Sequence, residues 1–218
     1  MNFTRYYFCT DAGTLYAPHM LCTLLIHMEK NTDCGACCGE RGCSAHRNQS
    51  AIYATFHACA SFAGHQRIMA SLDQMDPVES VQGKKEGWAL WALRSIQGAD
   101  FDQGLCTFNG LHSRLGFLPV IPGPCGLFRA SSVTEDVLDE VNDVCAKPNS
   151  VDDVLTANLR LAEDRVISYL IILRSPNAGR TVTSWVPQAE FYFECEETLR
   201  ELVLQRRRWL NGTLAGYP

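Results

Sequence analysis

The sequence lacks the features of a nucleic-acid-binding or membrane-spanning chain. Its 24 acidic residues outnumber 19 basic ones, which gives a formal net charge of −5 at pH 7. Nucleic-acid-binding domains usually carry a basic excess instead. The longest apolar run, around Val166 to Leu173, is far shorter than the roughly 18 residues that cross a bilayer. We therefore expect no nucleic-acid partner and no transmembrane segment within this chain.

The beginning of the chain also lacks the apolar segment of a secretory signal, because Met1 to Cys9 contains Arg5 and other polar residues. Without secretion, most of the 11 cysteines are expected to be buried, reduced thiols rather than disulfides. Some of them could instead hold zinc, since a Cys-x2-Cys-x5-Cys-x2-His spacing is formed by Cys34, Cys37, Cys43 and His46. Packing of small thiols beside a tight strand explains the same spacing, which by itself does not decide.

The chain is long and apolar enough for one sizeable core, with 218 residues of which 46% are hydrophobic. Strand-like segments alternate with amphipathic helices, a pattern that favours an α/β fold with a mixed sheet flanked by helices. The predicted strands cover residues 3–10, 33–40, 117–121, 181–187 and 188–194. The predicted helices cover residues 18–29, 51–72, 84–97, 164–174 and 196–210, and another begins at a capping box formed by Ser132 and Glu135.

A basic, aromatic run near the end of the last predicted helix carries the strongest functional signal: Gln205, Arg206, Arg207, Arg208 and Trp209. Guanidinium groups match phosphate oxygens, and an indole offers a flat face on which a sugar ring can rest. Together they indicate a nucleotide sugar or its acceptor. Successive helical residues point about 100° apart. We therefore expect one arginine to face phosphate and another to pair with an acid such as Glu163. A basic last turn that complements the helix dipole is the alternative interpretation.

Two acidic positions complete the candidate chemistry. Glu163 and Asp164 open a predicted helix, where acids often only complement the helix dipole. In the functional interpretation, Asp164 is a general base that takes the proton of an attacking sugar hydroxyl during inverting glycosyl transfer. Asp11 follows a predicted strand and precedes Gly13, a position suited to a divalent cation that bridges a diphosphate, although a turn or helix-cap aspartate is equally compatible.

Taken together, these motifs resemble those of the chitin synthases, a branch of the processive inverting β-glycosyltransferases. Residues 161–165, Leu-Ala-Glu-Asp-Arg, and 205–212, Gln-Arg-Arg-Arg-Trp-Leu-Asn-Gly, match the family's motifs fully. Weaker matches are Asp-Ala-Gly-Thr at 11–14, Gly-Ala-Cys-Cys-Gly-Glu at 35–40, Phe-Asp at 101–102 and the Pro-Gly turn that ends residues 115–123. The matches tilt the interpretation towards chitin rather than another β-linked polysaccharide such as hyaluronan.

The resemblance implies a GT-A-like catalytic core that transfers N-acetylglucosamine from UDP-N-acetylglucosamine to the non-reducing end of a growing β-1,4-linked chitin chain. By position, Asp11 would bind Mg²⁺ or Mn²⁺, and Asp164, preceded by Glu163, would be the general base. Residues 205–209 would hold the diphosphate and the acceptor sugar, and Asp102 would shape the acceptor end. The segment around Cys34 to Cys38 becomes an inner strand beside the donor, which argues against zinc.

The resemblance also implies what the chain does not contain. The family's uridine-cradling segment before the Asp-x-Gly strand and the membrane helices after Arg-Arg-Arg-Trp have no counterpart in this sequence. We therefore expect one partial catalytic domain over residues 1–218, N-terminally incomplete, with residues 42–97 a divergent, insertion-like region. Such a domain would work on the cytoplasmic face of the plasma membrane, held through segments absent from this chain. A catalytically inactive binding module of the same fold is the alternative.

Overall fold

A computed structural model describes residues 5–11, 14–43, 87–145, 154–174, 182–193 and 195–216. The strands are β1 (Tyr6–Cys9), β2 (Leu15–Tyr16), β3 (Ala36–Cys43), β4 (Gly126–Arg129) and β5 (Thr183–Phe193). The helices are α1 (Met20–Lys30), α2 (Trp88–Gly104), α3 (Gly110–Arg114), α4 (Glu135–Cys145), α5 (Val154–Leu159), α6 (Glu163–Arg174) and α7 (Leu199–Gly216). A π-helical turn at Leu105–Asn109 joins α2 to α3.

The strands form a mixed sheet in the order β1-β4-β3-β5-β2. The two central strands, β3 and β5, run parallel, whereas the other pairs are antiparallel. The predicted α/β fold with a mixed sheet is therefore confirmed. The first strand lies at the edge of this sheet, beside β4.

Helices cover both faces of the sheet because side chains alternate along β3. Cys37 points to one face, where it joins a buried cluster with Met20, Leu24 and Met28 of α1 and with Phe191 of β5. The neighbouring Ala36 and Cys38 point to the other face. They join a second cluster with Leu118, Ile121, Phe128, Ile171 and Val182. The sheet is thus sandwiched between α1 and α6, and every side chain named in the two clusters is buried.

Several predicted elements need correction. Residues 117–121 form no strand: the N–H of Leu118 donates to the Thr183 hydroxyl, and that of Ile121 donates to the Ser168 hydroxyl at 2.9 Å. Side-chain hydroxyls thus take the place of a neighbouring strand. The two strands predicted over residues 181–194 are one strand, β5. The predicted helix over residues 51–72 lies outside the described residues.

The predicted capping box at Ser132 is also wrong. Ser132 lies in a short 3-10 turn, Ala130–Ser132, and α4 begins only at Glu135. The backbone C=O of Thr134 accepts the first helical hydrogen bond of α4, from the Leu138 N–H at 3.0 Å. The cap position is therefore Thr134, two residues later than the sequence predicts, because the chain tightens into the 3-10 turn first.

The cysteines largely follow the expectation from the sequence. Among the described residues, free thiols are found at Cys9, Cys22, Cys34, Cys37, Cys38, Cys125 and Cys145. Four of these lie in the buried clusters or beside them: Cys34, Cys37, Cys38 and Cys125. Cys195, by contrast, is disulfide-bonded, so the expectation of reduced thiols does not extend to this position.

Candidate active site

Asp164 is the second residue of α6, and its environment suits a proton acceptor. Its side chain is 24% exposed, and Oδ1 accepts a hydrogen bond of 2.8 Å from the backbone N–H of Arg165. Burial raises the pKa of Asp164 above the ordinary aspartate value, and the charge of Glu163 adds to this, although Arg165 and Arg208 oppose it. A raised pKa makes a carboxylate a stronger base near neutral pH.

A chain of hydrogen bonds connects the start of α6 to the loop that faces Asp11. The Ser168 hydroxyl donates to the backbone C=O of Asp164 at 2.6 Å and accepts from the N–H of Ile121 at 2.9 Å. Ile121 leads directly into the Pro-Gly-Pro turn. A Cβ atom added at Gly123 in this turn would lie only 3.2 Å from Oδ1 of Asp11. The segment from Ile121 to Gly123 therefore connects Asp164, which it reaches through Ser168, with Asp11, which lies beside Gly123.

Tyr16 reinforces the position of this turn. Its hydroxyl donates to the backbone C=O of Pro124 at 3.0 Å and also contacts the Thr10 hydroxyl. Burial raises the pKa of Tyr16 well above its usual value, and the negative charge of Asp11 contributes in the same direction. The Tyr16 phenol therefore stays protonated, and its hydrogen bond holds the turn beside Asp11.

The predicted basic run lies in the middle of α7, which continues to Gly216 and has no basic residue in its last turn. The interpretation as a basic last turn that complements the helix dipole is therefore wrong. Arg206 forms an ion pair with Asp100 of α2 at 2.7 Å. Its guanidinium carbon lies 4.4 Å from the Trp209 ring centroid and 4.6 Å from that of Phe101. The expectation that one arginine pairs with an acid is correct, but the acid is Asp100 rather than Glu163. Both other arginines, Arg207 and Arg208, are exposed.

Arg41 in the second half of β3 is the site residue that the sequence did not predict. Its guanidinium carbon lies 4.0 Å from the Phe101 ring centroid and 5.1 Å from that of Trp209. Burial lowers the pKa of Arg41 to about 9, with a further lowering by the nearby Arg206. The carboxylates of Asp11, Asp164 and Asp100 act in the opposite direction. The strand-end acid, the helix-start acid and the basic run therefore all act on this one guanidinium.

Close packing of α7 on the start of α6 brings Arg208 towards Asp164. A Cβ atom added at Gly212 would lie 2.6 Å from the Cβ of Ala162, so only glycine allows this approach. Arg208 lies one helical turn before Gly212, and its positive charge lowers the pKa of Asp164. The two motifs that match the resemblance fully, 161–165 and 205–212, are thus direct neighbours in space.

Gln205 is held by the segment that leads into α7. Its amide Nε2 donates to Oε1 of Glu196 at 2.7 Å, and its Oε1 is buried without a hydrogen-bond partner among the described residues. Glu196 is itself fixed by the buried Gln97 of α2, which bonds both its N–H, at 3.0 Å, and its C=O, at 2.9 Å. An open depression of about 330 Å³ beside them is lined by Glu196, Glu201, Leu204, Gln205 and Arg208.

The remaining predicted site residues are Glu163, Asp102 and the possible zinc ligands. Glu163 is exposed in the first turn of α6. Asp102 belongs to α2, but its side chain lies outside the described residues. For the zinc interpretation, Cys34 and Cys37 are buried, and burial raises the pKa of both thiols. The Cys43 side chain and His46 lie outside the described residues.

Asp11 fits a divalent cation that is held mainly by a ligand's phosphates. The part of the chain that the structure describes contains no group of three or more histidine, cysteine or acidic side chains that could form a metal cage. Asp11 is exposed and offers hard carboxylate oxygens beside the Pro-Gly-Pro turn. Mg²⁺ is commonly bound in this way, by one or two carboxylates together with substrate phosphates.

A comparison of the sequence with models of known protein families identifies the family of this chain. The family model of the chitin synthase-like glycosyltransferase domain matches residues 90–217, more than half of the chain. The chain belongs to the chitin synthase-like glycosyltransferase family. The matched region contains Asp164 and the whole basic run, whereas Asp11 and Arg41 lie outside it.

Chitin synthases are also its curated relatives. The chain is 26% identical to chitin synthase 1 of Phytophthora sojae over 159 residues, which cover 73% of this chain and 17% of that protein. It is 29% identical to chitin synthase 2 of Rhizopus oligosporus over 141 residues, covering 62% and 16%. It is 30% identical to chitin synthase 3 of Pyricularia oryzae over 126 residues, covering 56% and 14%. The chain therefore spans less than a fifth of the length of these relatives. Within the described residues, every helix is too short or too polar to cross a membrane.

Proposed function

We propose that this chain carries the catalytic part of a metal-dependent, inverting transferase. It would move N-acetylglucosamine from UDP-N-acetylglucosamine to the non-reducing end of a β-1,4-linked chitin chain. The observation that carries the proposal is the packing of Arg41 and Arg206 on Trp209, together with the effect of the Asp11 and Asp164 charges, which raise the pKa of Arg41. The names of the relatives support chitin as the polymer.

In this proposal, Asp164 takes the proton from the acceptor hydroxyl as that oxygen attacks the anomeric carbon of the donor sugar. The diphosphate leaves on the opposite face, so the configuration inverts. The raised pKa of Asp164, caused first by burial, supports this role because a base is most effective when its pKa approaches the working pH. Glu163 would keep that pKa raised through its own negative charge.

The leaving diphosphate would be bound by positive charges from two sources, the arginines of α7 and the metal ion at Asp11. Arg207 and Arg208 are exposed and their guanidinium groups match phosphate oxygens. Asp11 would hold the Mg²⁺ or Mn²⁺, which when bound would neutralise charge that develops on the leaving diphosphate. The Asp11 carboxylate lies close to the turn at Gly123.

The acceptor sugar would lie against the Trp209 indole, with Asp102 at the acceptor end. Gln205, held by Glu196, lines the open depression and would offer its amide to sugar hydroxyls. A flat apolar ring beside fixed polar groups is the usual composition of a site for a small polar ligand.

The place of action follows from the same proposal. We place this domain at the cytoplasmic face of the plasma membrane, where a nucleotide sugar is available, with membrane association supplied by other parts of the protein. The relatives, which are several times longer than this chain, leave room for such parts.

The deciding experiment measures release of UDP and incorporation of N-acetylglucosamine into β-1,4-linked polymer by the full product of the gene that contains this chain. Asp164→Asn should abolish incorporation while binding of UDP-N-acetylglucosamine persists. Asp139→Asn, which changes an exposed acid of α4 outside the site motifs, serves as the matched control. Unchanged turnover in Asp164→Asn would show that the base is assigned wrongly.

A further inference from the structure

Two guanidinium groups share the same pair of aromatic rings at the centre of the site. Arg41 lies 4.0 Å from the centroid of Phe101, and Arg206 lies 4.6 Å from it. The same two groups lie 5.1 Å and 4.4 Å from the centroid of Trp209. The two rings are 6.0 Å apart and inclined at 58°. We call these four side chains the cation–aromatic stack.

The stack joins three elements that are distant in the sequence. Arg41 lies in the second half of the central strand β3, Phe101 belongs to α2, and Arg206 and Trp209 belong to α7. Trp209 and Phe101 also form a small hydrophobic cluster with Cys195. The central strand pairs with β4 through residues 36–38 and with β5 along its whole length, where Arg41 pairs with Phe191. The backbone of Arg41 is therefore held by β5, and its side chain is well placed to fix the others.

Holding two like charges against the same rings is unfavourable unless something offsets the repulsion. Asp100 offsets part of it through its ion pair with Arg206. Asp11 and Asp164 supply further negative charge near Arg41. A cation over an aromatic face is attracted by the ring, and the attraction is stronger when the cation is removed from water. An uncharged side chain of the same length would satisfy packing alone, so the charge on Arg41 calls for a separate explanation.

We infer that Arg41 is a positioning residue that holds the Trp209 indole and the Arg206 guanidinium in the geometry needed to bind the acceptor sugar chain. This inference rests on the proposed function, in which Trp209 receives the acceptor. Arg41 acts through its contacts with the two rings and is not itself placed on a reacting atom.

The test compares donor and acceptor kinetics in the full gene product, with UDP-N-acetylglucosamine as donor and a soluble β-1,4-linked N-acetylglucosamine oligomer as acceptor. Arg41→Met keeps an apolar stem but removes the cation. It should raise the acceptor KM by at most roughly fivefold to tenfold, because restoring the ring geometry on binding can cost no more than about the energy of the lost cation–aromatic contact. The donor KM should stay within about twofold of the parent value, and Arg41→Lys should restore part of the acceptor affinity.

Two further variants keep the test decisive. Phe101→Leu removes the ring shared by both guanidiniums and should raise the acceptor KM in the same direction. Arg174→Met removes a cation that pairs with Asp136 of α4, outside the site, and should change neither KM. Melting temperatures of all variants separate this effect from loss of folded protein.

An acceptor KM in Arg41→Met equal to that of the parent would overturn the inference, as would an equal rise in both KM values. Failure of the proposed function is a separate result, because in that case the parent protein itself would transfer no N-acetylglucosamine to the oligomer.

Discussion

Gly212 of α7 packs directly on Ala162, the residue that precedes α6. The missing Cβ of Gly212 would lie 2.6 Å from the Cβ of Ala162, a distance that real Cβ contacts do not reach. This approach sets the separation of the two helices, and with it the separation of Asp164 and Arg208. The glycine is therefore a determinant of the site and not only of packing.

Gly212→Ala should consequently destabilise the protein and reduce its turnover. Helix propensity favours alanine by roughly 1 kcal/mol, but overpacking of a tight contact typically costs about 1–3 kcal/mol. The net effect should be a lower melting temperature together with a loss of turnover greater than the loss of folded protein. Thermal unfolding and UDP release, measured on the same preparation, check this.

Two controls accompany this variant. Gly87→Ala places a methyl group where no atom of the described residues lies within 4 Å and should leave both quantities nearly unchanged. Adding Ala162→Gly to Gly212→Ala removes the clashing methyl group from the other side and should recover turnover. Full activity in Gly212→Ala alone would show that the helix separation does not matter.

Asp164→Asn should stabilise the protein at neutral pH while it removes turnover. The folded pKa of Asp164 is raised above the unfolded value of 3.8. The folded state therefore binds the proton more readily, and this group lowers the stability as the pH rises through its folded pKa. Asparagine cannot ionise, so the variant should melt higher than the parent at pH 7. At about pH 3, where both forms are neutral, the difference should vanish.

Turnover supplies the second readout for Asp164. Removing a general base typically lowers the rate roughly 10²- to 10⁴-fold. The acid limb of the parent's pH–rate profile should lie above the ordinary aspartate pKa, because the base must be ionised to accept a proton. Equal melting temperatures of variant and parent at pH 7 would contradict the raised pKa, whatever the effect on the rate.

Asp11→Asn should weaken the dependence of turnover on Mg²⁺ or Mn²⁺. Loss of an anionic ligand should raise the metal concentration needed for half-maximal turnover roughly tenfold or more, since even supporting groups of metal ligands matter by about that factor. A metal titration of UDP release measures this, with Asp139→Asn as the control. A titration midpoint identical to that of the parent would remove Asp11 from the metal site.

Much of this site could be predicted from local sequence. Asp164 and Trp209 belong to motifs that the sequence already singles out, and the sequence also predicts the helices on which the structure places them. Arg41 could not be found in this way, because its contacts with Phe101 and Arg206 join positions some 60 and 165 residues away. Its local signal, an arginine after Glu40 at the end of an apolar strand, has no special meaning by itself.

The single strand β5 shows the same limit in the fold. Pro187 is typical of a strand edge or a break, and the sequence therefore predicts two strands. In the structure, Gly39 pairs with Val186 and Glu40 pairs with Glu190, so a bulge absorbs the residues between them. Gly39 makes the bulge possible, since a Cβ atom there would lie 1.9 Å from the Ala189 backbone oxygen. The need for glycine at position 39 can be recognised only from the position of β5, the partner strand, and not from the sequence of β3.

The side chain of Gln97 clamps Glu196 by binding its backbone, and this clamp should contribute to the stability of the protein. Gln97 is 1% exposed and bonds both backbone groups of Glu196, so water has little access to replace it. Gln97→Leu keeps the volume but leaves a donor and an acceptor unpaired, at roughly 1–3 kcal/mol each. Urea unfolding should show that loss, and Gln205 should lose its fixed partner. Gln188→Leu, at an exposed position of β5, should unfold like the parent. If both variants unfolded at the same urea concentration, the clamp would contribute nothing to the placement of α7.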